Sequence, residues 1–305
     1  MNQLLVTLGT KLTERWLNLL VLPGALFLGV LAAGTTLGHA HWYDLPRLGE
    51  ALDGLTARPA LDRAGTAAVA VAAVLLVSSA LSLAAQFLGS AVESFWLRES
   101  RFAFDHRRQR ARLRAWERLT RERNAAIRDP ATKAAEIRRL DRARARIGLV
   151  PPSRPTWYGD RLQAAGERVE AVYGLDLDAV WPRLWLILAE PAQRQIEAAR
   201  ASFTAAARLG AWSLAYLAVA AWWWPAVLIA AGCALVARSR AHESTEALAS
   251  LVEAAVDVHG RDLAVLVGLE QPDVPGPLPV DTGDRLSETF RKAGLFDTDD
   301  DAPGT

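Results

Sequence analysis

GTAAVAVAAVLLVSSALSLAAQFLGSAVESFWL, residues 65–97, passes directly into RESRFAFDHRRQRARLR, residues 98–114. The first part exceeds the roughly 20 apolar residues that suffice to cross the hydrocarbon core of a bilayer. The second is dense in arginine, and short loops rich in Lys and Arg resist translocation. An apolar span that empties into positive charge therefore carries an orientation, with the basic side in the cytoplasm. Arg, Ala, Leu and Glu are good helix formers, and no Gly or Pro separates the two parts. One helix is expected to continue from the span into the basic segment.

Downstream, Asp129-Pro130 interrupts this pattern and a second helical run, 131–147, ends at Gly148. Ile137, Leu140 and Ile147 are spaced to face Leu113, Trp116 and Leu119 or Thr120, which predicts an antiparallel helical hairpin. Arg107, Arg108, Arg110, Arg112 and Arg114 crowd one short run of it. A solvated face is the plain reading. Contact with anionic lipid headgroups or with a partner is the functional one, given the adjoining span. Nucleic acid fits less well, because Phe102, Phe104 and Trp116 do not interleave with the arginines as a stacking platform would.

Within the span, Ser78, Ser82, Gln86 and Ser90 recur every four residues, so they share one helix face, with Glu93 near its inner end. Small polar residues serve as helix–helix packing points. The alternative is a hydrated path, since polar groups in a span avoid lipid.

Upstream, residues 1–15 read as an amphipathic lead-in at the inner surface. Residues 16–37 read as a first span, with Pro23 as a kink. Its apolar run exceeds the ~7–15 residues of a signal-peptide core, so a retained anchor is expected. Residues 38–65, with Pro46, Gly54 and Pro59, read as an outer loop. In that loop, Asp53-Gly54-Leu55-Thr56-Ala57-Arg58 resembles the opening of the CDP-alcohol phosphotransferase signature. Glu50 stands where that family has its first aspartate, and 66–77 holds no acid, so the metal-binding set is incomplete. His39, His41 and Asp44 could meet a metal, but a solvated loop needs no such reading.

Prolines 151, 152 and 155 mark a connector, and helical signals resume at Gly159-Asp160. Asp176 or Asp178 can cap a following helix. That helix offers Trp181 and Trp185 either to the membrane interface or to an ordinary core. The last apolar block, 209–237, is broken by Trp222-Trp223-Trp224-Pro225. Tryptophan prefers the interface to the midplane, so a hairpin with these residues at its tip is expected. Residues 238–270 read as a separate cytoplasmic helix. Residues 271–305 read as an acidic, mostly disordered tail, with a short docking helix over 285–296.

Tyr173-Gly174-Leu175-Asp176-Leu177, Trp181-Pro182-Arg183-Leu184-Trp185-Leu186, Trp222–Pro225 and Ala255-Val256-Asp257-Val258-His259 together resemble uncharacterised multi-pass membrane proteins of actinobacteria. The arginine-for-lysine bias of the composition agrees with that source. The resemblance implies a Trp-Pro membrane hairpin and transfers no activity and no site residue.

Cys233 is the one cysteine of 305 residues, which excludes a disulfide framework within the chain. Phosphate loops, metal-ligand clusters and nucleophile elbows are absent from the sequence. The expected fold is all-α. Four transmembrane segments stand two plus two around a basic helical cytoplasmic domain, 98–208, with both termini in the cytoplasm of a bacterial inner membrane. The expected function is a non-catalytic anchor or scaffold, without cofactor or metal. It would contact anionic lipid, recruit a cytoplasmic protein through the basic hairpin and acidic tail, and form homo-oligomers. The alternative is an oligomeric channel or pore-type effector, such as one of bacterial defence, with Ser78–Ser90 and Glu93 along its path.

Overall fold

The computed structural model describes residues 21–56, 64–99, 102–272 and 275–291. The amphipathic lead-in and the acidic run 297–301 lie outside them. The described residues form helices and connections with no strand. The helices are α1 (Leu22–Leu37), α2 (Leu45–Thr56), α3 (Ala64–Leu97), α4 (Ala103–Arg128), α5 (Ala134–Ala145), α6 (Trp157–Tyr173), α7 (Leu177–Ile187), α8 (Glu190–Val219), α9 (Ala226–Leu266) and α10 (Val280–Arg291). They divide into two compact units. The first takes Met1–Ser94 with Thr204–Arg240, the second Phe95–Phe203 with Ala241–Thr305.

In the first unit, α1 meets α3 through backbone. A Cβ on Gly24 would stand 2.1 Å from the Ser78 carbonyl oxygen, so only glycine permits this crossing. Phe27 of α1 lies 5.6 Å from Trp212 and 5.4 Å from Tyr216 of α8. Gly89 of α3 backs onto the Arg208 backbone. The Ser213 hydroxyl donates to the Ala230 carbonyl at 2.9 Å, which joins α8 to α9. The block 209–237 does not run straight: α8 stops at Val219, and the chain turns through 220–225 before α9. Pro225 precedes the first residue of α9, where its fixed φ suits a helix start. Only one helix of the described chain, Gly65–Leu97, is long and apolar enough to cross a membrane. Of the four expected spans, one qualifies by length and hydropathy among the described residues, Leu22–Leu37 is a shorter apolar helix, and residues 16–20 of the first expected span lie outside the described residues.

Other expectations change as well. Residues 45–56 are helix rather than loop. Pro46 sits in the first turn, where its missing N–H costs nothing, and Asp44 accepts from the Arg47 N–H at 3.2 Å. The helix does not continue from the span into the basic segment. α3 ends at Leu97, and Asp105 accepts from the Phe102 N–H at 3.4 Å to open α4. Arg98 pairs with the same carboxylate and lies over Phe95, 4.3 Å from the ring centre. Finally, no break follows Arg238, because Ala226–Leu266 is one helix of 41 residues.

The second unit has an apolar core of Val169, Leu175, Val180, Leu184, Ile196, Val256, Leu263 and Leu286, against which Trp181 and Trp185 pack. Asp176 caps α7, accepting from the Asp178 N–H at 3.0 Å and the Ala179 N–H at 3.4 Å. α6 ends at Gly174, whose φ of +67° suits glycine. A side chain there would also strike Asp284 and the Val280 carbonyl of α10. α10 lies in the region read as tail. It begins five residues before the expected docking helix and buries Leu286 completely.

Candidate functional site

α4 and α5 form the predicted antiparallel hairpin. Arg123 of α4 meets Asp141 of α5, and the Trp116 indole N–H donates to the Gly148 carbonyl at 3.0 Å. Four of its five crowded arginines, Arg107, Arg108, Arg110 and Arg114, are exposed. Arg108 rests over Phe104 at 6.0 Å, and Arg110 Nε donates to the His106 carbonyl at 3.1 Å.

Arg112 is the exception, and it corrects the sequence reading. Its guanidinium turns inward, where it pairs with Asp160 and donates to the carbonyls of Arg154 (2.9 Å) and Ile147 (2.7 Å). One side chain therefore closes the connector 147–154 against both the hairpin and α6. A guanidinium with three such acceptors is not offered to a lipid surface.

Asp160 is the counterpart. Its side chain is 4% exposed and accepts from the backbone N–H groups of Ser153 (2.9 Å) and Arg154 (2.6 Å). Burial raises its pKa above the ordinary carboxylate value, against the pull of Arg112 and of the Arg154 and Ser153 N–H groups. Thr156 caps the same helix by accepting from the Gly159 N–H at 3.2 Å, and its own hydroxyl donates to the Trp96 carbonyl. Arg154 donates to the Leu97 carbonyl at 2.5 Å and to Gln163 at 2.6 Å.

A second buried arginine follows one residue on. Arg161 is 5% exposed and bonds Glu246 at 2.8 and 3.0 Å and Glu253 at 2.9 Å, both on α9. Burial pulls its pKa down, but the two carboxylates outweigh that and hold it above the ordinary value. Arg168 adds a further contact to Glu253 at 3.3 Å. Beside this cluster the rings of Trp157 and His242 stack, with centres 3.8 Å apart and planes 26° from parallel.

These elements enclose a cleft of about 590 Å³. Its walls are the end of α5 and the connector after it, the first turn of α6, and the α9 segment that carries His242 and Glu246. Such a volume falls within the ~300–1,000 Å³ of small-molecule sites. Sequence reasoning finds the hairpin but misses this cleft. The one available signal is the pair Thr156 and Asp160 at a helix start. His242 and Glu246, some eighty residues further on, carry no local mark of their destination.

The polar stripe of α3 is not kept together as one surface. Ser78 (0% exposed) and Ser82 (3%) are buried, Gln86 and Glu93 are partly covered, and Ser90 is exposed. The Ser78 and Ser82 hydroxyls have no hydrogen-bond partner among the described residues. At the α8–α9 turn, Trp222 is exposed, Trp223 packs against Gly34, and Trp224 lies 5.0 Å from Trp42. His39 contacts the Ala221 carbonyl at 3.0 Å and His41 contacts Arg47 at 3.0 Å. Among the described residues no group of His, Cys, Asp or Glu could hold a metal ion.

Compared with protein-family models, curated proteins and solved structures, the chain matches none of them.

Proposed function

We propose that the protein is a membrane-embedded anchor whose second unit presents a basic helical hairpin to anionic headgroups and to a cytoplasmic partner. The observation that carries this reading is the bare face of α3. Only 11% of its most apolar 18-residue window is buried, and Val69, Leu76 and Phe87 are 69%, 71% and 78% exposed. A core helix of a water-soluble protein covers such a surface, and contiguous apolar patches of this length are rare in contact with water. A bilayer supplies the missing cover.

Under this reading α1, α3 and the apolar parts of α8 and α9 lie in the membrane as two pairs, with Trp222–Trp224 outside and both termini and the hairpin inside. The short α1 would need local bilayer thinning or further apolar residues. Arg107, Arg108, Arg110 and Arg114 support headgroup contact, at about 1 kcal/mol per arginine near an anionic surface. The oligomeric channel is the weaker reading, because Ser78 and Ser82 are taken up by packing rather than facing an open path.

The test is retention and topology together. The chain should stay with the membrane fraction through high salt and an alkaline wash. In a Cys233→Ser background, a cysteine at Asp53 should react with an impermeant reagent on intact cells, while one at Ser153 should not. A chain released into the soluble fraction would end the anchor reading, and labelling at 153 would end its orientation.

A further inference from the structure

We propose that the cleft at the root of the hairpin binds a ligand carrying a phosphate monoester, held by Arg142 and Arg146 beside the Trp157–His242 ring pair. Charge accounting around a cavity of defined size leads to this site. Five charged residues line the cleft: Arg142, Arg146, Asp160, Arg161 and Glu246. Both carboxylates are engaged internally, Asp160 by Arg112 and two backbone N–H groups, Glu246 by Arg161. Arg161 is likewise engaged, by Glu246 and Glu253.

Arg142 and Arg146 are what remains. Both are exposed at the cleft wall, and neither has an ion pair among the described residues. The Arg142 side chain donates from Nε to the Arg138 carbonyl at 3.3 Å, which leaves its two Nη groups for a ligand. The two arginines stand four residues apart at the end of α5, on the same side of the chain. Two guanidinium forks so placed match the oxygens of a phosphate dianion, which Arg recognises in bidentate fashion.

His242 lines the same cleft, and the Trp157–His242 stack adds a flat aromatic surface to it. The lining thus combines a cationic end with an aromatic wall, and its volume of about 590 Å³ leaves room beyond the phosphate for an organic group. The same headgroup chemistry could arrive on a free nucleotide or on a lipid such as phosphatidic acid. The cleft stands independently of the anchor reading, because a chain found to be soluble would still be tested in the same way for nucleotide.

The experiment uses the full chain in phosphatidylcholine nanodiscs. Isothermal titration with AMP, and with inorganic phosphate for the dianion alone, probes the free ligand. Nanodiscs containing phosphatidic acid, against phosphatidylserine at the same surface charge, probe the lipid. Saturable binding of at least one phosphomonoester probe is expected. Arg142→Gln with Arg146→Gln should weaken it roughly a hundredfold, about tenfold for each guanidinium removed. Arg194→Gln with Arg285→Gln removes the same charge from exposed positions outside both the cleft and the hairpin and should change it less than about threefold. His242→Gln leaves both arginines and should weaken binding more mildly, which keeps the test readable if the double variant melts early. Binding to phosphatidic acid alone would support the chemistry and assign the lipid as its source. No saturable binding to any probe, or an equal loss in the Arg194→Gln, Arg285→Gln variant, would overturn the proposal.

Discussion

The two units are stabilised in opposite ways. The first brings helices together by removing side chains: Gly24 against the Ser78 backbone, Gly89 against Arg208, and Gly34 against Trp223. Many of its outward residues are large and apolar. The second unit surrounds an ordinary apolar core with arginine–carboxylate bonds, several of them out of water. Close backbone approach without a hydrophobic contrast is how helices associate in lipid, where the solvent is as apolar as leucine. A charged network around a dry core is what water rewards. On the proposed reading one chain carries elements suited to two solvents, and substitutions matched between the units test that contrast.

The largest effect is expected at Asp160. Asp160→Ala leaves the Arg112 charge and the Ser153 and Arg154 N–H groups without their acceptor. Breaking a buried pair by removing one partner costs about 3–5 kcal/mol, so thermal unfolding of the full chain should move to clearly lower temperature. Asp160→Asn keeps an acceptor and should be less destabilising. If Asp160→Ala melts like the wild type, the pair does not hold the hairpin to α6.

Next come two large apolar side chains in contrasting places. Leu286 is fully buried in the second unit, and Leu286→Ala should cost about 2–5 kcal/mol. Phe87 is 78% exposed on α3, and Phe87→Ala should stay within about 0.5 kcal/mol in nanodiscs. Denaturant midpoints for both variants give the comparison. A large loss at Phe87 would mean that this face packs on protein, either a second copy or another chain.

Much of this contrast is legible in the sequence and some is not. Asp129-Pro130 and Gly148 delimit α5, and Trp222–Pro225 marks the turn before α9, because Pro and Gly act locally. The break after Leu97 leaves no such mark. It is made by Asp105 turning back to Phe102 and Arg98, in a run that reads as good helix former throughout. Composition disguises residues 280–291: Asp281, Asp284 and Glu288 resemble a solvated tail, while Leu286 and Ser287 carry the docking. The cleft is hidden for a third reason. Arg112, Asp160 and Glu246 belong to ion pairs that reach across 48 and 85 residues, and sequence spacing cannot report such partners. Arg112 in particular is indistinguishable by sequence from its exposed neighbours.

The glycines allow a finer comparison within α1. Gly24→Ala places a Cβ 2.1 Å from the Ser78 carbonyl oxygen, so α1 and α3 must move apart. Overpacking of this kind costs about 1–3 kcal/mol. Gly29→Ala meets nothing within 4 Å and should be neutral or slightly stabilising through helix propensity. Melting of the two variants in nanodiscs checks the pair. Equal effects would remove the Gly24 crossing as the organising contact of the first unit.

The smallest effect concerns acid and the docking of α10. Asp176 has its pKa lowered from 3.8, first by its bond to Arg291 and then by the α7 N–H groups, which together outweigh burial. Glu270 has its pKa lowered from 4.5, first by the Thr282 hydroxyl and then by Arg261. Arg291 ends α10 and Thr282 lies near its start, so the two carboxylates fasten both ends of one helix. A carboxylate whose folded pKa is depressed adds stability that is present above its unfolded value and lost as pH falls through the folded one. The window therefore opens near pH 4 and extends below it. Hydrogen exchange of residues 280–291 should show protection falling across that window. Asp176→Asn with Glu270→Gln should flatten the dependence, since Asn still caps a helix and Gln still accepts from Thr282. The change should be modest, because the buried Leu286 keeps the helix seated. An unaltered acid response in the double variant would remove Asp176 and Glu270 as its cause.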